Sequence, residues 1–200
     1  MNPSQNTSTP SRELDAAELT HLAIKALRQK RDDDALAFLR RAIERDPNDA
    51  KPYVLIGGIL ASNRQYAEAI QAMTRAVALD PQLWGARFQL GLLYFTSGDV
   101  PQARSVWQAL DDLDENDPLR LFKTGMLHLA NWEFDQCVAT IERGIARCDT
   151  PSLNKDMRLV IDKAKAAGSA HSSRSHTPQQ NSLHVMAARY QRAMEEKKKS

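Results

Sequence analysis

Five histidines and two cysteines are the residues of this 200-residue chain best suited to hold a metal or attack a substrate, and their spacing supports neither. His21, His128, His171, His176 and His184 have no Cys or carboxylate partner at ligand spacing. Cys137 and Cys148 lie eleven residues apart without the second pair that a zinc site needs, so both read as reduced packing residues. Neither a glycine-rich phosphate loop nor a nucleophile elbow occurs. The acidic runs Asp32-Asp33-Asp34 and Asp111-Asp112 fit helix starts and solvated faces. The expectation is a non-enzyme with no catalytic residues, no metal and no cofactor.

The elements that would carry any other function must then be read from composition and period. Two hundred residues, 42% hydrophobic and 26% charged with 8 Gly and 9 Pro, describe a globular chain of one or two domains. The longest apolar stretch, within Val54 to Ala61, falls far short of the roughly 18 residues of a membrane span, so integral membrane association is not expected. The first twelve residues lack the basic start and apolar stretch of a secretory signal, from which a cytoplasmic address is expected. Net charge is +2, but the basic excess sits at the ends, and residues 13–167 carry about −3 by formal count. Phosphate binding needs clustered Lys and Arg, so no nucleic-acid partner is expected.

One chemistry recurs at a 34-residue interval, in windows starting at Ala16, Ala50, Trp84 and Pro118. The first holds Leu22-Ala23, Ala35, Leu39, Ala42 and Asp46-Pro47; the second Ile56-Gly57, Ala69, Met73, Ala76 and Asp80-Pro81. The third holds Leu90-Gly91, Tyr94, Ala103, Trp107 and Leu110; the fourth Gly125, Cys137, Ile141 and Gly144. Apolar residues within a window recur at three and four, in two runs of about 14 residues, which predicts two helices per unit. Asp46-Pro47, Asp80-Pro81 and Asp117-Pro118 are expected to stop the second helix of each unit. Small residues at Gly57, Gly91, Ala69, Ala103, Gly125 and Gly144 are expected to admit large partners such as Tyr53, Tyr66, Tyr94 or Phe134.

This pattern resembles the tetratricopeptide repeat family over about 16–151, with YVLIGGILASNRQYAEAIQAMTRAVALDP carrying the likeness best. The sequence departs from the family at Thr124, where a large apolar residue is usual, and closes its third and fourth windows with displaced prolines, Pro118 and Pro151. The resemblance implies an all-α fold, a right-handed α-solenoid of antiparallel helical hairpins. Repeats are expected at 16–49, 50–83, 84–117 and 118–151, within a body of 13–167. Leu153, Met157, Val160, Ile161 and Ala164 form a stripe after Thr150-Pro151 and predict a capping helix at 152–167. A disordered N-terminus at 1–12 and a flexible linker at 168–182 are expected, followed at 183–200 by a separate amphipathic tail helix with a basic end.

The resemblance also implies an inner face built by the first helix of each pair. Its residues would be Thr20, Ile24, Leu27 and Arg28, then Val54, Gly58, Ala61 and Ser62. Phe88, Leu92, Phe95 and Thr96 follow, and then Phe122, Met126, Leu129 and Ala130. Ile24, Leu27, Arg28, Val54, Phe88, Leu92, Phe95, Phe122 and Met126 are the expected partner-binding groove. Covering a Phe, Leu or Met stabilises by about 1.5 to 3 kcal/mol, enough in sum for an apolar peptide or amphipathic helix to dock. The Lys, Asn and Arg with which related domains clamp the acidic tails of heat-shock chaperones are absent, the matched positions being Thr20, Ile24, Val54, Gly58, Gly85 and Gln89. The chain is therefore expected to be a protein–protein interaction adaptor or chaperone-like scaffold. One alternative is a self-regulated or oligomeric assembly factor whose 183–198 segment occupies the groove or drives self-association; another is a cytoplasmic chaperone of secretion substrates.

Overall fold

The computed structural model describes residues 13–172, and every regular element in them is helical. The helices are α1 (Ala16–Arg28), α2 (Asp32–Arg45), α3 (Ala50–Ser62), α4 (Tyr66–Leu79), α5 (Trp84–Thr96), α6 (Val100–Trp107), α7 (Pro118–Ala130), α8 (Phe134–Ile145) and α9 (Pro151–Ser172). A 3-10 segment, Gln108–Asp112, continues α6. Residues 1–12 and 173–200 lie outside the described residues, and with them the N-terminal segment, most of the linker and the tail helix expected from sequence.

Each hairpin is closed by the same local chemistry. The A helix, first of each pair, begins at Ala16, Ala50, Trp84 and Pro118, at a constant interval of 34 residues. Asp15, Asp49 and Asp117 cap α1, α3 and α7 by accepting from the backbone N–H of Glu18, Lys51 and Leu119. The A helices end in a left-handed residue, Lys30 (φ 58°), Arg64 (φ 62°), Gly98 (φ 90°) and Trp132 (φ 66°). The following amide bonds back to a carbonyl five residues earlier, as in Arg31 to Ala26 at 3.0 Å and Gln65 to Leu60 at 2.8 Å. The B helices α2 and α4 stop where Asp46 and Asp80 turn extended before proline.

Asp117-Pro118 acts differently from the expectation that it would end a B helix. Asp117 caps α7 and Pro118 takes the first helical position, where its missing N–H costs nothing. The third B helix ends much earlier, at Trp107, and tightens into the 3-10 segment. Arg120 of α7 ties that segment down by donating to the carbonyls of Asp111 (3.0 Å) and Leu113 (2.6 Å). Buried Lys123 donates to the Asp111 carboxylate.

Packing divides the chain between Ala86 and Arg87, inside α5, into two compact units. In the first, Ala23, Ala26, Ala35, Leu39 and Ile59 form a buried cluster against which Leu27, Leu55 and Ile56 pack. In the second, Phe88, Trp107, Leu110, Phe122, Cys137, Ile141 and Met157 are buried. The large partners of the small A-helix residues are not the tyrosines named above. A methyl on Gly57 would lie 2.8 Å from Met73, one on Gly91 2.1 Å from Trp107, and one on Gly125 2.4 Å from Ile141. The partner is always the residue sixteen further on, because antiparallel helices joined by a three-residue turn meet at that offset.

Helix α9 begins at Pro151 and packs on α8, burying Met157, Ile161 and Ala164. It runs to Ser172, so the expected linker start at 168 falls inside a helix. Side-chain contact explains the extension. Gly168 lies close against Phe134, and the His171 ring packs 5.7 Å from Trp132 and 6.2 Å from Phe134.

Candidate partner-binding site

In the first unit, the expected inner positions of α1 and α3 differ in exposure. Ile24 and Leu27 are half-buried, Arg28 is exposed, and Thr20 is buried with its hydroxyl donating to the Ala16 carbonyl at 2.8 Å. Helix α3 is apolar on all sides, with Lys51 its sole charged residue, yet Val54, Leu55, Ile56, Gly58, Leu60 and Ala61 all retain partial exposure. A helix apolar on every side normally lies in a core or under a partner. Gly58 marks the opening, since a methyl added there would meet nothing within 4 Å. The Ser62 hydroxyl donates to the Gly58 carbonyl at 3.0 Å, so the backbone at the opening is satisfied.

The second unit corrects the sequence reading. Phe88, Phe122 and Met126, expected to line the groove, are core residues with relative exposures of 1%, 0% and 2%. Phe88 stacks on Trp107 at 5.8 Å and meets Phe122 at 6.2 Å, while its carbonyl accepts from the indole N–H of Trp107 at 2.9 Å. A methyl on Gly144 would lie 2.5 Å from the Phe122 ring, which shows how closely α8 covers it. Leu92 and Phe95 remain half-buried, with the Phe95 ring 5.9 Å from Trp107. Gly58 and Ala61, named on the inner face but not among the groove residues, are both partly exposed. Small residues give no sequence signal of exposure, because the same residue types mark close helix approach elsewhere in the chain.

The titratable groups of the described residues pair locally. Among the described residues no group of three His, Cys, Asp or Glu is placed to hold a metal. His128 Nδ1 bonds the Glu133 carboxylate across the α7–α8 turn, and Lys123 is committed to Asp111. A cleft of about 400 Å³ between α8 and α9 is shallow and floored by Phe134, Val138, Ala164 and Gly168. Burial of Cys137 pushes its thiol from 9.0 to about 11, where it is a poor nucleophile at neutral pH. One thiol, Cys148, is therefore expected to react with Ellman's reagent at pH 8 in the native protein, and the second after denaturation; rapid reaction of both would contradict the burial of Cys137. Because the folded-state value is the higher one, Cys137 should also lower stability as pH rises from 9 to about 11, where the unfolded chain ionises first.

Comparison with known proteins agrees with the repeat geometry. Family models for the tetratricopeptide repeat match residues 60–124 and 38–71. Residues 38–124 thus carry tetratricopeptide repeats. A tetratricopeptide repeat protein from Parabacteroides merdae is 16% identical with a TM-score of 0.62, covering 95% of this chain and 76% of that one. A tetratricopeptide repeat protein from Thermus thermophilus is 19% identical with a TM-score of 0.59, covering 88% of this chain and 98% of that one. At these identities the likeness is one of fold: an α-solenoid of helical hairpins. Anaphase-promoting complex subunit 3 of Schizosaccharomyces pombe is 21% identical over 174 residues, covering 84% of this chain. The match takes in 26% of that subunit, so this tetratricopeptide repeat chain spans about a quarter of its relative's length. Among the described residues no helix is long and apolar enough to cross a membrane.

Proposed function

We propose that this tetratricopeptide repeat chain is a non-catalytic adaptor that holds an apolar or amphipathic segment of a partner protein on the inner face of α1 and α3. The observation that carries the reading is α3 itself, apolar all round and still partly exposed along Val54, Gly58 and Ala61, with open space before Gly58. Ile24 and Leu27 extend the face on α1. Burial of about three such side chains at 1.5–3 kcal/mol each supports micromolar docking once association costs are met.

Gly58 gives a test that separates binding from folding. Gly58→Ala meets no neighbour and removes a helix-interior glycine, so it should stabilise by about 0.5–1 kcal/mol. Gly58→Phe should keep the helical circular dichroism and urea midpoint, because its ring enters open space, while filling the face a partner needs. Captured partners identified by mass spectrometry with the native chain should be lost with Gly58→Phe and kept with Gly58→Ala. Partners retained by the Phe variant would place binding elsewhere.

A further inference from the structure

We propose that segment 183–198 folds back on α9 of its own chain and supplies the second helix of a fifth hairpin. The contact lies within the second unit and does not depend on the adaptor reading of α1 and α3. In each of the four hairpins the A helix buries a small residue under its B helix: Ala23, Gly57, Gly91 and Gly125, spaced by 34 residues. One more interval along, on α9, stands Leu159. It is 52% exposed, more than any other large apolar side chain among the described residues. Helix α9 therefore packs one side on α8 through Met157, Ile161 and Ala164, as an A helix does on the B helix before it. The side where its own B helix would lie, marked by Leu159, Ala166 and Ala170, is exposed.

The chain carries an occupant for that side. It leaves α9 at Ser172, after the contacts of Gly168 with Phe134 and of His171 with Trp132 have carried the helix to 22 residues, against 13 in the A helices. Residues 173–182 reach about 16–19 Å on a root-mean-square basis, enough to turn the chain back along α9. Leu183, Met186, Tyr190 and Ala193 then recur at three and four, over a segment about as long as the 14-residue α2 and α4. Tyr190 and Ala193 repeat the large-then-small spacing of Leu39 and Ala42 and of Met73 and Ala76, the buried pairs of those two B helices. Ala187, on the same stripe, offers Leu159 the room that a glycine gives in the other hairpins. Lys155, Asp156, Arg158, Asp162 and Lys163 surround Leu159 with mixed charge, so apolar cover and not net attraction holds the segment. A tether this short keeps it at about millimolar effective concentration, and modest burial then suffices.

The test is hydrogen exchange read by mass spectrometry on the full chain at micromolar concentration. Amides of 183–198 should exchange about tenfold more slowly than in a free synthetic peptide of the same sequence. Leu159→Glu, an exposed change on a different helix that keeps the circular dichroism, should return the segment to the free-peptide rate, and so should Tyr190→Glu. Gly58→Phe should leave the protection intact. Free-peptide exchange in the native chain, or protection that survives Leu159→Glu, overturns the fifth hairpin. Loss of protection in Gly58→Phe would put the segment on the face of α1 and α3, and protection that grows with protein concentration would put it on a second copy; either result overturns the proposal while leaving the adaptor reading to its own test.

Discussion

Gly91→Ala is expected to destabilise the second unit by about 3 kcal/mol or more, the upper end of what overpacking costs. The added methyl would sit 2.1 Å from the Trp107 indole nitrogen and 2.4–2.5 Å from two of its carbons, all parts of a rigid ring. The ring has nowhere to turn, because it stacks on Phe88 at 5.8 Å, touches Phe95 at 5.9 Å and donates to the Phe88 carbonyl at 2.9 Å. Displacing it also breaks that buried hydrogen bond, leaving a donor or acceptor unsatisfied at about 1–3 kcal/mol. The helix-propensity gain of about 1 kcal/mol from losing a glycine offsets only part of this. Gly57→Ala, at the matching position, would put its methyl 2.8 Å from Met73 and should cost less than Gly91→Ala by urea denaturation, because an unbranched thioether side chain can shift where a clamped indole cannot. Similar urea midpoints for the two variants would show that the Trp107 contact is not as tight as described. In the double variant Gly91→Ala with Trp107→Leu, part of the Gly91→Ala loss should be recovered, because the ring that clashes is gone.

Phe122→Glu is expected to unfold the second unit. The ring is fully buried between Phe88, at 6.2 Å, and the backbone of α8 at Gly144. Truncation to Ala should by itself cost about 3–5 kcal/mol, and an unpaired carboxylate at this depth adds several more. Phe88→Glu should act alike, since its ring joins the Trp107 stack. Loss of helical signal and of the cooperative urea transition is the expected outcome. A native spectrum and midpoint for Phe122→Glu would return the ring to the open groove that the sequence suggests. The contrast with Gly58→Phe is direct: one substitution puts charge into a closed core, the other puts a ring into open space.

Much of the fold was legible because helix and turn chemistry are local. The 34-residue interval, the three-and-four spacing, and Asp-Pro at 46–47 and 80–81 specify hairpins without knowledge of their neighbours. At Asp117-Pro118 the same dipeptide opens a helix instead, a choice set by Arg120 and Lys123 of α7 holding the 3-10 segment from outside it. The end of α9 was likewise hidden. Gly168 and Ser169 read as linker, but contact with Phe134 and Trp132 keeps the helix going.

The sequence by itself determined a repeated helical hairpin and the identity of its small packing positions. Only the tertiary structure decided which inner positions are open: Phe88 and Phe122 close on each other, whereas Val54 and Gly58 do not. The physical reason is that amphipathic spacing assigns a side chain to a face of its own helix, while burial depends on the bulk and approach of neighbouring helices. Equivalent positions therefore become core where bulky rings interlock and surface where a glycine leaves room.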